Sequence, residues 1–219
     1  MNELMGARGL SGRPVVTLGG DAVGQIKDTV FDGAAGQVSG FTLSGRGLLA
    51  GPLRESLPWA AVHALGRDAV MIRDREALAE RSVVVARGEA SHGGVLGARV
   101  LTDEGAEIGV VLDVVVEAGT SGRVAGFRIQ ARRSLVPGSR RRRRDVFVPR
   151  GEALAVSGRA LVVPADAVRF VADDLTGFAA RVAAFRARGA DEKAAPEPAA
   201  PDPLDGAAPG RGTRKEPLS

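Results

Sequence analysis

Apolar residues occur along the chain in short runs, mostly of valine, that are separated by glycine and by charged residues. Runs of about four to eight β-branched residues bounded by turn residues predict β-strands. Glycine accepts the positive φ angles that tight hairpin turns require. Turn signals of this kind stand at Gly19-Gly20, Asp32-Gly33, Asp103-Glu104-Gly105 and Ser121-Gly122. The pattern therefore predicts short antiparallel strands joined by tight turns.

The same pattern occurs twice in the chain. Residues Gly12 to Asp32 match Gly97 to Glu117 without a gap, and Gly97 lies 85 positions after Gly12. After one inserted residue, Gly36 to Leu43 align with Gly122 to Ile129. Short antiparallel strands hide their edges most readily when the sheet curls into a barrel. The internal repeat therefore predicts two small β-barrels.

The repeated residues resemble the signature of the PRC-barrel family. In the second copy they are Gly105, Ile108-Gly109, Asp113, Gly122, Val124 and Gly126-Phe127. In the first copy they are Gly20, Val23-Gly24, Asp28, Gly36, Val38 and Gly40-Phe41. The resemblance implies a mainly β fold of two small antiparallel PRC-type β-barrels in tandem. It also implies an adaptor role. It does not imply a particular ligand, because proteins that share a fold need not share a ligand.

The resemblance divides the chain into domains. It assigns residues 8–75 to the first barrel and residues 91–165 to the second, with a connector at 76–90. From the end of the first barrel into the connector, composition favours a helix over Asp74 to Arg81 and then a strand over Ser82 to Ala86.

A helix and a tail are expected after the second barrel. Apolar residues recur at helical spacing at Val171, Leu175, Phe178, Val182 and Phe185. Asp173 is the expected N-cap and Gly189 the expected end, so the helix spans 171–189. Packing on its own domain is the favoured role of this stripe, and a homodimer is the alternative. Residues 190–219 are rich in alanine, proline and charge and are expected to be disordered.

Several repeated residues are expected to serve the fold rather than chemistry. These structural positions are Gly24, Asp28, Gly40, Gly109, Asp113 and Gly126. By strand alternation each aspartate lies on the same face as its apolar neighbours, which predicts a carboxylate directed toward the core. A metal or acid–base role is the alternative, but no second carboxylate or clustered histidine stands at ligand spacing. Hydrogen bonding of each aspartate to nearby backbone is the favoured interpretation.

The opposite faces of the two long strands differ in polarity. The first copy carries Gln25, Lys27 and Thr29 there, whereas the second carries Val110, Leu112 and Val114. The apolar face needs a cover, and we expect it to dock on the first barrel, the C-terminal helix or another subunit. Trp59 is expected to form a lid on the rim of the first barrel or to anchor a partner.

An arginine-rich segment is the sharpest chemical feature of the chain. It comprises Arg132, Arg133, Arg140, Arg141, Arg142, Arg143 and Arg144. Guanidinium groups suit phosphate or carboxylate recognition, so RNA, an anionic lipid surface or an acidic protein segment are the candidate targets. The alternative is a solvated hairpin tip without a ligand. No aromatic residue interleaves the arginines, which argues against stacking on single-stranded bases.

Composition removes several function classes. There is no cysteine, which excludes disulfides and thiolate metal sites and fits a cytoplasmic location. The net charge is only +4, and the sequence pI of about 10.5 reflects the predominance of arginine over lysine. His63 and His92 belong to no metal or catalytic pattern, and no apolar run is long enough to span a membrane. No secretory signal is recognised at the N-terminus.

The sequence therefore predicts a non-enzymatic adaptor without cofactor or metal, located in the cytoplasm. Its expected partner is a protein or a ribonucleoprotein. The alternative is a membrane-peripheral structural protein that resembles the barrel of a photosynthetic reaction-centre subunit and uses the same arginines on anionic lipid.

Overall fold

The computed structural model describes residues 3–32, 35–47, 50–90, 95–133, 135, 144–151, 156–157 and 160–194. For residues 86–90, 156–157 and 191–194 it describes the backbone only. His92, Arg140 to Arg143 and the tail from 195 onward therefore lie outside the described residues.

In the first half of the chain, the described residues form eight strands and one helix. The strands are β1 (Leu4–Gly6), β2 (Pro14–Thr17), β3 (Ala22–Asp32), β4 (Gln37–Ser44), β5 (Pro52–Pro58), β6 (Val62–Leu65), β7 (Val70–Ile72) and β8 (Ala79–Glu80). Helix α1 (Arg81–Ala90) follows. Single 3-10 turns lie at Ala7–Leu10, Trp59–Ala61 and Arg75–Ala77.

In the second half of the chain, the described strands repeat the order of strands β2 to β7. Its strands are β9 (Arg99–Thr102), β10 (Glu107–Glu117), β11 (Val124–Ala131), β12 (Arg144–Pro149), β13 (Val156–Ser157) and β14 (Ala160–Val163). A 3-10 helix at Ala165–Phe170 leads to α2 (Leu175–Ala194).

The two sheets of the described residues share the order of six strands, and each has one further strand without a counterpart, β8 in the first and β1 in the second. The first barrel is the sheet β6-β7-β2-β3-β4-β5-β8, in which β2 and β7 run parallel. The second barrel is the sheet β12-β11-β10-β9-β14-β13, in which β9 and β14 run parallel at the corresponding place. The remaining strand, β1, pairs with β10 although it precedes the first barrel in the chain. The predicted fold class, mainly β with one sheet design used twice and a C-terminal helix, is confirmed.

The repeated Gly-Phe pair explains how each sheet is covered on both sides. Phe41 and Phe127 point into the barrel cores and are 0% and 2% exposed. Their glycine neighbours lie on the outer side, where a Cβ on Gly40 would lie 2.9 Å from Val84 Cγ1 of α1. A Cβ on Gly126 would lie 2.5 Å from Phe178 Cζ of α2. The glycine therefore lets a helix approach the strand closely in both copies.

A β-bulge occurs at the same place in both long strands and changes which face the aspartates occupy. Ile26 pairs with Leu43 and the next pair is Asp28 with Thr42, so Lys27 is the extra residue. In β10 the extra residue is Leu112. The bulge shifts the alternation by one residue, and each aspartate emerges on the face opposite the core. The prediction of core-directed carboxylates is therefore wrong, and Asp28 is exposed.

The connector and the C-terminal helix differ from their predicted forms. Ser82 to Ala86 lie in α1, so the strand predicted there is wrong. Helix α2 starts at Leu175 and continues through Gly189 to Ala194. Asp174, not Asp173, accepts a hydrogen bond from a backbone N–H of the first turn, from Gly177 at 2.7 Å. The packing of each helix on its sheet therefore outweighs the local sequence signals in determining where the helix begins and ends.

Candidate interaction surfaces

Five arginines lie on and around strands β9 to β12, and we call them the arginine surface. They are Arg99, Arg128, Arg132, Arg133 and Arg144. Glu107 of β10 accepts hydrogen bonds from Arg99 Nη2 at 2.6 Å and from Arg132 Nε at 2.8 Å. Both hydrogen bonds lower the pKa of Glu107, and the bond from Arg99 has the larger effect. One carboxylate thus links arginines from β9 and from the end of β11.

The other paired arginines lie close to the β11–β12 connection. Arg128 Nη2 lies 2.6 Å from Asp145 Oδ2, and Arg144 pairs with Asp173. Ala131 pairs with Arg144 at the end of the ladder, so residues 132–143 connect the two strands. Arg133 is exposed, and Arg140 to Arg143 belong to this connection but lie outside the described residues. The described members of the predicted set, Arg132, Arg133 and Arg144, therefore lie at one end of one hairpin.

The apolar face predicted for β10 is divided by the bulge. Val114 pairs with Phe127 and is 1% exposed in the core, so the prediction that it lies on an outer interface is wrong. Val110 and the bulged Leu112 are half-buried on the second sheet. Val110 stands in register with Arg99 on one side and Gln130 on the other. The arginine surface therefore has apolar residues beside it.

Trp59 lies where the two barrels meet. Its indole Nε1 donates a hydrogen bond to the carbonyl of Thr120 at 3.2 Å, and its ring lies against Gly122. Its ring centroid lies 6.0 Å from that of Phe41 in the first core. Trp59 thus contacts the second barrel of its own chain, so a contact within the molecule occupies the residue predicted as a lid or partner anchor.

The contact between the barrels is reciprocal. Val38 N–H donates to the carbonyl of Gly122 at 2.8 Å, and Val124 N–H donates to the carbonyl of Gly36 at 3.0 Å. Gly36 and Val38 are the repeat counterparts of Gly122 and Val124, so the two bonds exchange when the copies are exchanged. Such self-complementarity is the property of a two-fold interface. The tandem therefore forms an internal pseudo-dimer.

Arg150 takes the place of Trp59 in the second copy, since each follows a proline that ends a strand. Its Nη1 donates to the carbonyl of Gly36 at 3.2 Å. Burial, followed by the nearby charges of Arg123 and Arg186, lowers the pKa of Arg150. The sequence analysis did not single out Arg150, although the two copies also match at Pro58 and Pro149, the residues that precede Trp59 and Arg150.

A second buried charge lies close to this region. Glu117 of β10 is 8% exposed, and its Oε1 lies 2.6 Å from Arg186 Nη1 of α2. Its other carboxylate oxygen accepts a hydrogen bond from Ser121 Oγ at 3.0 Å. The ion pair therefore ties α2 to the end of β10.

The two equivalent aspartates have different surroundings. Asp113 is 8% exposed and accepts backbone N–H bonds from Arg8 at 3.0 Å and from Val114 at 2.8 Å. Asp28 accepts only a side-chain bond among the hydrogen bonds of the described residues, from Thr42 Oγ1 at 3.0 Å. The N-terminal segment therefore covers Asp113 and leaves Asp28 in solvent.

Metal-ligating side chains do not cluster in the described residues. No group of three or more histidine, aspartate and glutamate side chains within them is placed to hold a metal ion. His63 lines an open cleft with Arg73, Asp74 and Glu76. Asp74 in that cleft caps a 3-10 turn, since its Oδ1 accepts the N–H of Ala77 at 3.1 Å.

The described residues contain two α-helices, α1 and α2. Across the part of the chain that the structure describes, neither helix combines the length and the apolar character that crossing a bilayer requires.

Comparison with known proteins agrees with the duplicated architecture. A family model described as PRC-barrel domain matches residues 2–79 and, separately, residues 94–170. No curated protein matches the chain. The two matches together span more than half of the sequence, and each contains the strands of one sheet, except that the first match ends within β8 and includes β1, which pairs in the second sheet. The chain therefore belongs to the PRC-barrel domain family and contains that domain twice.

Proposed function

We propose that this protein is a non-enzymatic adaptor that binds an anionic protein or ribonucleoprotein partner through the arginine surface and the β11–β12 connection. The observation that carries the proposal is the concentration of arginines at that hairpin end. Arg99 and Arg132 already hold the two oxygens of Glu107. Paired guanidinium groups bind carboxylates and phosphates in the same way, so these side chains are arranged for anion recognition.

The charge balance of this region supports an anionic target. The five arginines of the surface face three carboxylates in ion pairs, Glu107, Asp145 and Asp173. The connection adds Arg140 to Arg143 from the sequence. The five arginines exceed these three carboxylates by two charges, and Arg140 to Arg143 raise the excess to six, which is larger than the net charge of +4 of the whole chain.

The joined barrels support an adaptor role. The reciprocal backbone bonds and the Trp59 and Arg150 contacts hold the two sheets in a defined relation. A partner bound to the second barrel then has a fixed position relative to the first. Such preorganisation reduces the entropy lost when a further partner binds. The cytoplasmic location and the homodimer stay predictions.

The test is salt-titrated binding of the full chain to three probes: a 20-nucleotide RNA, polyglutamate and vesicles of mixed neutral and anionic lipid. Replacement of Arg140 to Arg143 by serine should weaken binding at least about tenfold and flatten its salt dependence, because fewer counterions are released. Replacement of Arg46, Arg54, Arg73 and Arg181 by serine is the control. It removes the same charge from exposed positions elsewhere.

The three probes separate the readings. Salt-sensitive binding of RNA or of polyglutamate that depends on Arg140 to Arg143 supports the adaptor and identifies the partner's chemistry. Binding to vesicles alone contradicts it in favour of a membrane-peripheral protein. An equal loss in the control variant reduces the effect to net charge and contradicts the assignment of a site.

A further inference from the structure

The outer edge of the long strand is occupied in the second barrel. Strand β1 pairs antiparallel with β10, with Leu4 opposite Glu117, Met5 opposite Val116 and Gly6 opposite Val115. The N–H of Ala118 donates to the carbonyl of Glu3 at 2.7 Å. Met5 is 9% exposed and packs with the core residues of the barrels. The chain thus adds a short apolar strand to this edge.

The same edge in the first barrel is Val30 and Phe31 of β3, and we call it the open edge. Phe31 is the repeat counterpart of Val116, and each pairs with an equivalent valine, Val38 or Val124, on its other side. None of the strands in the described ranges pairs with the open edge. Val30 and Phe31 are half-buried, and helix α1 packs against β3 without forming a strand on this edge.

The backbone groups of Phe31 point outward. The N–H of Val38 donates to Gly122, which lies on the side of β4 away from β3. In an antiparallel ladder this makes Phe31 and Val38 a non-hydrogen-bonded pair, whose N–H and C=O groups face away from each other. The N–H of Val124 likewise donates away from β10, to Gly36, and there Val116 faces Met5 of β1. The open edge is therefore built like the occupied one.

The chain's own counterpart of β1 does not form a strand. By the repeat offset Leu4 and Met5 correspond to Glu89 and Ala90, and these lie at the end of helix α1. The described residues of the chain therefore provide one such strand for two equivalent edges. A second copy that donated its β1 would uncover its own β10, so exchange between copies gains no strand pairing. A segment from a different protein is the occupant that adds pairing.

We propose that the open edge binds an extended segment of a partner protein by β-strand addition, with two apolar residues followed by a small residue. The pattern is that of Leu4, Met5 and Gly6. A Cβ on Gly6 would lie 2.5 Å from Asp113 Oδ2, and Asp28 stands at the corresponding place in the first barrel. Exposed Asp28 can accept a backbone N–H of the partner, as Asp113 accepts that of Arg8. Main-chain bonds of this kind supply affinity in strand addition.

The experiment uses the full chain and a synthetic peptide with the sequence of residues 1–9, which includes β1 (Leu4–Gly6). We expect saturable binding with one peptide per chain and slower exchange of the Phe31 amide, measured by hydrogen exchange and NMR titration. Phe31→Pro removes the outward N–H and should weaken binding at least about tenfold, the equivalent of about 1.4 kcal/mol. Phe31→Leu keeps the backbone groups and should bind within about twofold of the native chain.

A modified peptide guards against a variant that fails to fold. Methylation of the peptide nitrogen at Met5 leaves both protein and side chains unchanged but removes the donor of the central pair, and it should abolish binding. Equal binding of the methylated peptide overturns the proposal. So does the absence of saturable binding at millimolar peptide. NMR shift changes confined to Val116 and β1 also overturn it, because they would mean displacement of β1 by the peptide.

The inference rests on the proposed adaptor function, but its failure is distinguishable. The peptide site lies on the first barrel, so replacement of Arg140 to Arg143 by serine should leave peptide binding unchanged. Binding of RNA or polyglutamate without binding of the peptide contradicts only the proposal for the open edge. Binding of the peptide alone contradicts only the proposal for the arginine surface.

Discussion

The two barrels share one sheet design but differ in how its outer side is closed. In the first barrel, α1 of ten residues places Val84 over Gly40, and the far edge of β3 is open in the described structure. In the second, α2 of twenty residues places Phe178 over Gly126, and β1 covers the edge of β10. The residues retained in both copies are those the sheet itself requires. The difference lies in the residues that face outward, where a partner would bind.

The helix contacts should show the largest difference. Phe178 is fully buried, and its ring centroid lies 5.5 Å from that of Phe147. Phe178→Ala should lower the free energy of unfolding by about 3 to 5 kcal/mol, because it removes a large side chain and leaves a cavity. Val84→Ala, at the matching contact of the first barrel, removes less volume and should cost about 2 kcal/mol. Urea denaturation measures both, and equal losses would contradict the unequal closure.

The paired aspartates should differ next. Asp113→Ala leaves the N–H of Arg8 without its acceptor beneath the N-terminal segment and should cost about 2 kcal/mol. Asp28→Ala removes an exposed carboxylate that accepts from Thr42 and should cost under about 0.5 kcal/mol. Thermal and urea unfolding of the two variants provide the measurement. A stability of Asp113→Ala equal to that of the native chain would remove the structural role of this carboxylate.

The aspartates also show what the sequence predicted and where it failed. The repeat predicted the two barrels, because identical glycine spacing imposes identical turns. It misplaced Asp28 and Asp113, because strict alternation ignores a bulge, and neither Lys27 nor Leu112 carries a local signal for one. The pairing of Leu4–Gly6 with β10 joins residues more than a hundred positions apart. No short-range pattern reports such a contact.

The contact between the barrels was partly predictable from the sequence. Gly36 and Gly122 were among the matched glycines, and each has a positive φ, of 64° and 58°. Their further role, to accept the Arg150 and Trp59 side chains of the other barrel, depends on tertiary placement. The anionic target of the arginines remains a proposal for the same reason, since arginine is recognised from sequence but its ligand is not.

Two glycine-to-alanine substitutions test the contact between the barrels. Their expected difference in stability is smaller than that of the preceding variants. Gly122 and Gly119 both have positive φ, so alanine at either costs about 1 kcal/mol in backbone strain. At Gly122 the added methyl also meets the ring of Trp59, whereas at Gly119 it meets no atom within 4 Å. Gly122→Ala should therefore be less stable than Gly119→Ala by about a further 1 kcal/mol. If the Trp59→Ala background does not abolish this difference, the steric account is wrong.

The smallest expected effect is a dependence on acid that belongs to the second barrel alone. Glu107 has Arg99 and Arg132 as hydrogen-bond donors, and its counterpart in the first copy is Ala22. Because the arginines lower the pKa of Glu107 in the folded state, its ionised form contributes stability above the unfolded pKa of about 4.3. That contribution disappears as the pH falls through the lower folded pKa. The stability difference between the native chain and Glu107→Gln should therefore be constant near neutral pH and vanish in stronger acid. Hydrogen exchange should place the acid-induced opening at β9 and the end of β11; opening that begins equally in β2 and β4 would show that the network does not distinguish the barrels.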